Sequence, residues 1–223
     1  MFKEVDVENW NRKATFEFFK DYEDPFFNIT ANLDVTELYH FCKENNLSFS
    51  LANLFYSLQT ANEIYEFRLR LKDAKLIEYA KIHATQTILC DDETFSFCYF
   101  GLQENVFDFN EAGKNAVEKY KQLKTFDVET ERIDLIYYSV IPWVSFTSFK
   151  HAGRFDNKQT VPRMVFGKVF EETGRKKMPH SVEVHHALVD GFHVGQYFNR
   201  LQEKFENPGS AGKAACAPSH KFI

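Results

Sequence analysis

The sequence is poor in glycine and proline and lacks long apolar runs. It has 9 glycines and 6 prolines in 223 residues, a content too low for collagen-like, linker-like or disordered chains. No stretch approaches the roughly 18 consecutive apolar residues of a membrane span. The N-terminus contains Glu4, Asp6 and Glu8, a composition unlike that of a secretory signal. We therefore expect a folded globular protein without a membrane partner.

Cysteine and positive charge are also scarce. No two of the four cysteines have the two-residue separation typical of zinc or redox sites. We expect buried free thiols, which favours a reducing, cytoplasmic location. The formal net charge of −5 gives no overall basic surface for nucleic acid. The sequence thus predicts neither a metal site nor a nucleic-acid partner.

Periodicity predicts helices and strands in mixed order. Helical spacing of apolar residues occurs over residues 35–45, 50–64, 105–123 and 192–205, with strand-like runs between them. This order favours an α/β or α+β fold with a mixed sheet. We expect an irregular segment over residues 1–33 and a polar loop over 173–177. Residues 1–206 are predicted to form one domain, followed by a tail over 207–223.

Two adjacent histidines followed by Asp190 and Gly191 carry the clearest chemical signal. If a strand spans residues 181–188, alternation places His186 on the same face as Val182 and Val184. His186 then points to the interior, where burial lowers its pKa. A neutral imidazole suits a general base at neutral pH. The alternative is a buried structural histidine followed by a helix-capping aspartate.

The run His-His-Ala-Leu-Val-Asp-Gly-Phe-His at residues 185–193 resembles the His-His-x-x-x-Asp-Gly-Phe-His signature of the chloramphenicol acetyltransferases. Two further segments resemble this family: Asn-Trp-Asn-Arg at 9–12 and Ser-Val-Ile-Pro-Trp at 139–143. Order and spacing agree over about residues 1–205. The histidine motif also occurs in larger acyltransferases and condensation domains, but those chains are about twice as long.

The resemblance implies a two-layer sandwich with a mixed sheet and helices packed on one side. It also implies a homotrimer with active sites at subunit interfaces, where His186 and most of the acceptor pocket come from neighbouring subunits. The implied reaction transfers acetyl from acetyl-CoA to a hydroxyl of chloramphenicol in a ternary complex. Such an enzyme inactivates the antibiotic and needs no metal.

The resemblance also assigns roles to individual residues. An alcohol is a weak nucleophile, so His186 would remove its proton as it attacks the thioester. Ser139 would stabilise the negative charge that develops on the carbonyl oxygen. Asp190 would pair with Arg12 as a structural clamp, and Lys168 would contact CoA. The acceptor pocket would contain the aromatic residues Phe19, Phe27, Phe95, Trp143 and Phe149.

Three positions depart from the family pattern. Phe19 stands where members that acetylate chloramphenicol well have tyrosine. Val165 replaces a threonine thought to hold an active-site water, and Ser48 replaces a lysine that some members place near the CoA phosphate. These changes leave two alternatives open: an O-acetyltransferase of the same fold with another hydroxyl acceptor, and a non-catalytic trimeric ligand-binding relative.

Overall fold

Ten strands and five helices form in mixed order along residues 1–123, 129, 131–153 and 159–210, the part of the chain that the computed structural model describes. The strands are β1 (Phe2–Glu4), β2 (Phe26–Asp34), β3 (Leu69–Lys72), β4 (Lys75–Tyr79), β5 (His83–Leu89), β6 (Phe95–Phe100), β7 (Leu135–Val140), β8 (Arg163–Phe166), β9 (Phe170–Glu172) and β10 (Arg175–His185). The helices are α1 (Lys13–Phe19), α2 (Thr36–Glu44), α3 (Phe49–Asn62), α4 (Val106–Leu123) and α5 (Gly191–Glu206).

The main sheet is mixed. Its strands follow the order β2-β10-β8-β7-β5-β6, and β9 pairs with the start of β10. The pairs β5–β7 and β7–β8 are parallel, whereas the other pairs are antiparallel. A small second sheet has the order β1-β4-β3. The predicted α/β architecture with a mixed sheet is confirmed.

Helices cover one face of the main sheet. Val182 and Val184 of β10 are fully buried in the same core cluster as Tyr197 and Leu201 of α5. Helix α5 also contacts β2, α3 contacts β5 and α4 contacts β6. The alternating valines of β10 therefore identify the face of the sheet on which the helices pack.

A network of hydrogen-bonded polar side chains is buried in this core. The Ser57 hydroxyl of α3 bonds to the phenol oxygens of Tyr138 in β7 and Tyr197 in α5, at 2.8 and 2.5 Å. The phenol of Tyr197 lies 2.9 Å from His180 Nε2 in β10. Burial lowers the pKa of His180 to about 3, so its imidazole stays neutral in the core. These hydrogen bonds thus link α3, β7, α5 and β10.

Three local predictions are wrong. Residues 1–33 are not irregular, because they contain β1, α1 and most of β2. The predicted loop at 173–177 is only a turn at Thr173 and Gly174, which have φ values of 48° and 76°. Strand β10 already begins at Arg175 and ends at His185, three residues before the predicted end.

The predicted helices agree with α2 to α5 to within one or two residues. Helix α5 ends at Glu206, and a short 3-10 turn follows over Pro208–Ser210. Residues 211–223 of the predicted tail lie outside the described residues, so the tail stays a prediction. None of the described helices is both long and apolar enough to span a bilayer.

Candidate active site

His186 directly follows the last residue of β10 and lies between two phenylalanine rings. Its imidazole stacks flat on Phe19, with centroids 4.0 Å apart and planes 7° apart. Phe27 lies on it at 4.7 Å and a tilt of 48°. The His186 side chain is 33% exposed, so it lies on the predicted face with Phe27 and Val184 but is only partly buried.

His185 is the buried member of the histidine pair. Its residue is 1% exposed, and its Nδ1 accepts a hydrogen bond from the backbone nitrogen of Ala187 at 3.2 Å. Burial, aided by the nearby charge of His186, lowers the pKa of His185 to about 4. His185 contacts Phe26, whereas His186 contacts Phe27, the partner of Val184. The predicted alternation of faces is therefore kept, but His185 is the more deeply buried of the two histidines.

Arg12 clamps the segment that carries His186. Its Nε and Nη2 donate to the two carboxylate oxygens of Asp190 at 3.0 and 2.6 Å. The same guanidinium donates to the backbone carbonyls of Leu188 and, at 3.4 Å, His186. Arg12 is 8% exposed. A forked guanidinium on a carboxylate fixes both partners in one plane, so Arg12 joins the turn after β10 to the start of α5.

The imidazole of His186 lies next to the Arg12–Asp190 pair without a hydrogen bond to it. His186 Nδ1 lies 3.4 Å from Asp190 Oδ1, and no hydrogen bond of good geometry reaches that nitrogen within the described part of the chain. Asp190 caps α5, and its backbone nitrogen donates to His193 Nδ1 at 3.0 Å. His193 Nε2 in turn lies 3.3 Å from Glu66. The start of α5 is therefore fixed from two sides.

Ser139 lies near the end of β7, far along the sheet from His186. It pairs in register with Val165 of β8, which pairs with Ser181 of β10. Ser139 therefore faces the same side of the sheet as Ser181 and His185, away from Val182 and Val184. Its hydroxyl accepts a hydrogen bond from Thr87 Oγ1 of β5 at 3.4 Å.

The register separates Ser139 from His186. His186 is two strands away from Ser139 and five residues beyond Ser181 along the chain. Strand spacing and rise per residue place their Cα atoms roughly 19 Å apart. Two groups that act on neighbouring atoms of one substrate must be within a few ångströms of each other. Within one chain, these two side chains belong to opposite ends of the sheet.

The comparisons with known proteins decide the family. The family model described as chloramphenicol acetyltransferase matches residues 1–202. The chain is a member of the chloramphenicol acetyltransferase family. Its fold is confirmed by a solved chloramphenicol acetyltransferase with a TM-score of 0.84 and 26% identity, covering 91% of this chain and 99% of the other. Members of this family are acyltransferases, so the chain is an enzyme of that class.

Two curated relatives are similar over nearly their whole length. The chloramphenicol acetyltransferase of Escherichia coli is 31% identical over 201 residues, which cover 89% of this chain and 91% of the relative. That of Clostridium perfringens is 31% identical over 209 residues, covering 92% of this chain and 95% of the relative. The family resemblance inferred from the sequence motifs is confirmed.

The other predicted site residues also divide between the two ends of the sheet, one near His186 and the other near Ser139. Phe19 and Phe27 lie on His186. Phe95 pairs with Leu89, two residues beyond Thr87 in β5, and is 48% exposed. Trp143 is 63% exposed just after β7.

Lys168 and Phe149 complete the predicted set. Lys168 is exposed between β8 and β9, and its backbone nitrogen donates to Val144 at 3.0 Å. Phe149 packs against His151 at 4.9 Å. The backbone nitrogen of His151 donates to Glu183 of β10 at 3.3 Å. Phe149 therefore lies over the strand that leads to His186, whereas Lys168 lies beyond the opposite end of β8.

Sequence reasoning missed three sets of contacts. The first is the hydrogen bond from Thr87 to Ser139, and the second is the contact between Glu66 and His193. The third is a buried ion pair in which Arg163 donates to Glu183 at 2.7 Å. Burial raises the pKa of Glu183, but hydrogen bonds from His151 and Arg163 outweigh it and hold this pKa below its usual range. Each contact joins residues distant in sequence, and no local motif signals them.

The basic run at 175–177 is neutralised by nearby carboxylates. Arg175 donates to Asp34 at 2.8 Å and lies 3.2 Å from Glu37. Lys177 lies 3.3 Å from Asp34, and Lys176 donates to Glu171 at 2.9 Å. Within the described residues, no group of three or more histidine, cysteine or acidic side chains is arranged to hold a metal ion.

Proposed function

We propose that this chain transfers an acetyl group from acetyl-CoA to a hydroxyl of chloramphenicol. His186 is the general base, and Ser139 stabilises the oxygen that becomes negative. The observation that carries the proposal is the placement of His186 in this family member. Its ring is partly exposed, held between Phe19 and Phe27, beside a carboxylate that Arg12 clamps.

The position of His186 suits proton transfer. Its Nδ1 lies 3.4 Å from Asp190 Oδ1, and we assign the role of base to the other ring nitrogen, Nε2. Nε2 then accepts the proton of the acceptor hydroxyl as its oxygen attacks the thioester carbonyl. The protonated imidazole returns that proton to the departing thiolate of CoA. A base placed in this way contributes about 10²- to 10⁴-fold in rate.

Arg12 and Asp190 support this base without taking its proton. The carboxylate is already engaged by two guanidinium hydrogen bonds, and the same guanidinium holds the backbone carbonyl of His186. The Ser139 hydroxyl donates a hydrogen bond to the former carbonyl oxygen, which carries the negative charge. One such fixed donor contributes about 10²- to 10³-fold.

The separation of Ser139 and His186 supports a homotrimer with active sites between subunits. In this arrangement, each chain contributes His186 to the site at one subunit interface and Ser139 to the site at the other interface. The cavities also favour a shared site. One, of about 70 Å³, is lined by residues including Phe26, His151, Arg163 and Glu183. A second cavity, of about 350 Å³, lies between α2 and the 3-10 turn after α5. Neither His186 nor Ser139 lines either of these two cavities.

The remaining assignments follow the family. Phe19, Phe27, Phe95, Trp143 and Phe149 form the acceptor pocket, and Lys168 contacts acetyl-CoA. We further propose a cytoplasmic location, since Cys42, Cys90 and Cys98 are free thiols, as is usual in reducing compartments.

A second candidate is an O-acetyltransferase with a different hydroxyl acceptor. Phe19 favours it, because this ring stacks on the proposed base and offers no hydroxyl where efficient chloramphenicol acetylators have tyrosine. Val165, which pairs in register with Ser139, stands in place of a family threonine and therefore lacks that threonine's hydroxyl as well. Losing one hydrogen bond costs about 0.5–1.5 kcal/mol of binding, which weakens chloramphenicol binding without removing the chemistry.

The test follows CoA release with a thiol reagent, with and without chloramphenicol. We expect release that depends on chloramphenicol and is lost in His186→Ala. The matched control is His40→Ala, which removes an exposed histidine of α2 and should keep full activity. Undiminished activity in His186→Ala would overturn the base assignment. Binding of acetyl-CoA without release would point to another acceptor, or to a non-catalytic relative if a panel of alcohols also fails.

The trimer is tested by mixing two inactive variants. His186→Ala and Ser139→Ala chains, unfolded and refolded together in equal amounts, should recover about a quarter of the sites, because a site needs an intact histidine and serine from different neighbours. Light scattering should give three times 26.2 kDa. No recovery together with a mass near that of one chain would refute the shared site.

A further inference from the structure

The role proposed for Ser139 places a demand on its hydroxyl. A serine hydroxyl has one proton and rotates freely unless other groups fix it. It stabilises an oxyanion only when that proton points at the oxygen, and preorganised donors act best because they need no rearrangement during the reaction. A neighbour that donates to the serine oxygen fixes the rotor and leaves the serine proton free.

Thr87 is placed to do this. Its Oγ1 donates to Ser139 Oγ at 3.4 Å from the adjacent strand β5. On the other side, Ser139 pairs with Val165 of β8, whose side chain has no hydrogen-bonding group. Of these two flanking side chains, Thr87 is therefore the one that can donate a hydrogen bond to Ser139.

We infer that Thr87 is a positioning residue, which orients the Ser139 hydroxyl toward the developing oxyanion. The inference rests on the proposed function, because it concerns the serine assigned there. Threonine suits this task, since its branched Cβ restricts rotation about χ1, and a strand fixes its backbone. Thr87 is not assigned a contact with the reacting atoms. It acts through Ser139.

Strand β5 also supplies a matched control. Thr85 is two residues earlier on the same strand and therefore faces the same side of the sheet. It is 4% exposed, and its hydroxyl has no hydrogen-bond partner in the described part of the structure. Thr85→Val thus makes the same chemical change on the same face without removing a hydrogen bond to Ser139.

The experiment measures kcat, KM for acetyl-CoA and for chloramphenicol, and thermal unfolding for five variants. They are Thr87→Val, Thr87→Ser, Thr85→Val, Ser139→Ala and the double variant Thr87→Val with Ser139→Ala. We expect Thr87→Val to lower kcat by about 3- to 10-fold, the effect of one lost hydrogen bond, with both KM values unchanged. Thr87→Ser should regain most of that loss, and Thr85→Val should match the parent protein.

The double variant distinguishes positioning from a general structural effect. If Thr87 acts through Ser139, Thr87→Val should have no effect on kcat once the serine is alanine. Equal loss in both backgrounds would overturn the inference, as would equal kcat in Thr87→Val and Thr85→Val, or failure of Thr87→Ser to recover activity. Ser139→Ala alone tests the proposed function: we expect a loss of about 10²- to 10³-fold, and full activity would refute the role of the serine itself.

Discussion

Replacing Asp190 by asparagine separates a clamp from a catalytic triad. Asparagine keeps the size of the side chain and can still cap α5, but it removes the negative charge opposite Arg12. The guanidinium is then left nearly buried, at 9% side-chain exposure, without a carboxylate. Its remaining hydrogen bonds are to the backbone carbonyls of Leu188 and His186.

The expected magnitude follows from this geometry. Removing one partner of a buried ion pair costs about 3–5 kcal/mol because the other charge stays buried and unpaired. The Asp190 side chain is 32% exposed, so solvent screening lowers the cost to about 2–3 kcal/mol. For a chain of this size, each kcal/mol shifts the melting temperature by about 2–4 °C. We therefore expect Asp190→Asn to melt roughly 4–12 °C lower.

Activity should fall less than in a triad. Loss of the orienting aspartate in a serine protease lowers kcat by about 10⁴-fold, whereas a loosened base should lose about 10- to 100-fold through misplacement. The assays are thermal unfolding at fixed protein concentration and steady-state kinetics. A 10⁴-fold loss of kcat with an unchanged melting temperature would refute the clamp and assign Asp190 to proton transfer.

A partner variant completes the test. Arg12→Met combined with Asp190→Asn removes the unpaired buried charge, so the double variant should be less destabilised than the sum of the two single changes. Strict additivity of the two effects would show that the observed pair contributes no coupling energy.

Two further predictions concern the acceptor and pH. Phe19→Tyr with Val165→Thr should lower KM for chloramphenicol about 2- to 10-fold for each hydrogen bond that is regained, and an unchanged KM would weaken the alternative-acceptor hypothesis. Burial lowers the pKa of His180 to about 3 and of His185 to about 4, so from about pH 6.5 downward the unfolded chain binds protons that the folded chain does not. The free energy of unfolding should then fall with decreasing pH by up to about 1.4 kcal/mol per pH unit for each histidine, and a melting temperature that is flat from pH 7 to pH 5 would contradict this.

The sequence predicted the helices and the family better than the ends of strands. Alternating valines identified β10, but its end at His185 depends on a turn in which the His185 side chain accepts from Ala187. Strand β2 was missed because it is an edge strand with polar residues. One of these, Asn28, donates to Ser181 in the neighbouring strand at 2.7 Å, and such a pairing is invisible in a local pattern.

The candidate site shows the same division. The motif at residues 185–193 led to the proposal of His186 as the base, and the Arg12–Asp190 pair expected from the resemblance is formed in the structure. The separation of Ser139 from His186 follows from strand order and register, which the spacing of residues in the sequence does not contain. The contact of Thr87 with Ser139 has the same origin, since it joins residues 52 positions apart.

The buried hydrogen-bonded network of Ser57, Tyr138, Tyr197 and His180 has a consequence for hydrogen exchange. Lifting α5 from the sheet would break the hydrogen bonds of Tyr197 to Ser57 and His180 and expose the buried apolar residues of the helix, at a cost of several kcal/mol. Amide hydrogens in the buried part of α5 should therefore exchange only when the whole domain unfolds. The segment with His186 leads directly into α5. We therefore expect substrates to reach the partly exposed imidazole without displacement of α5.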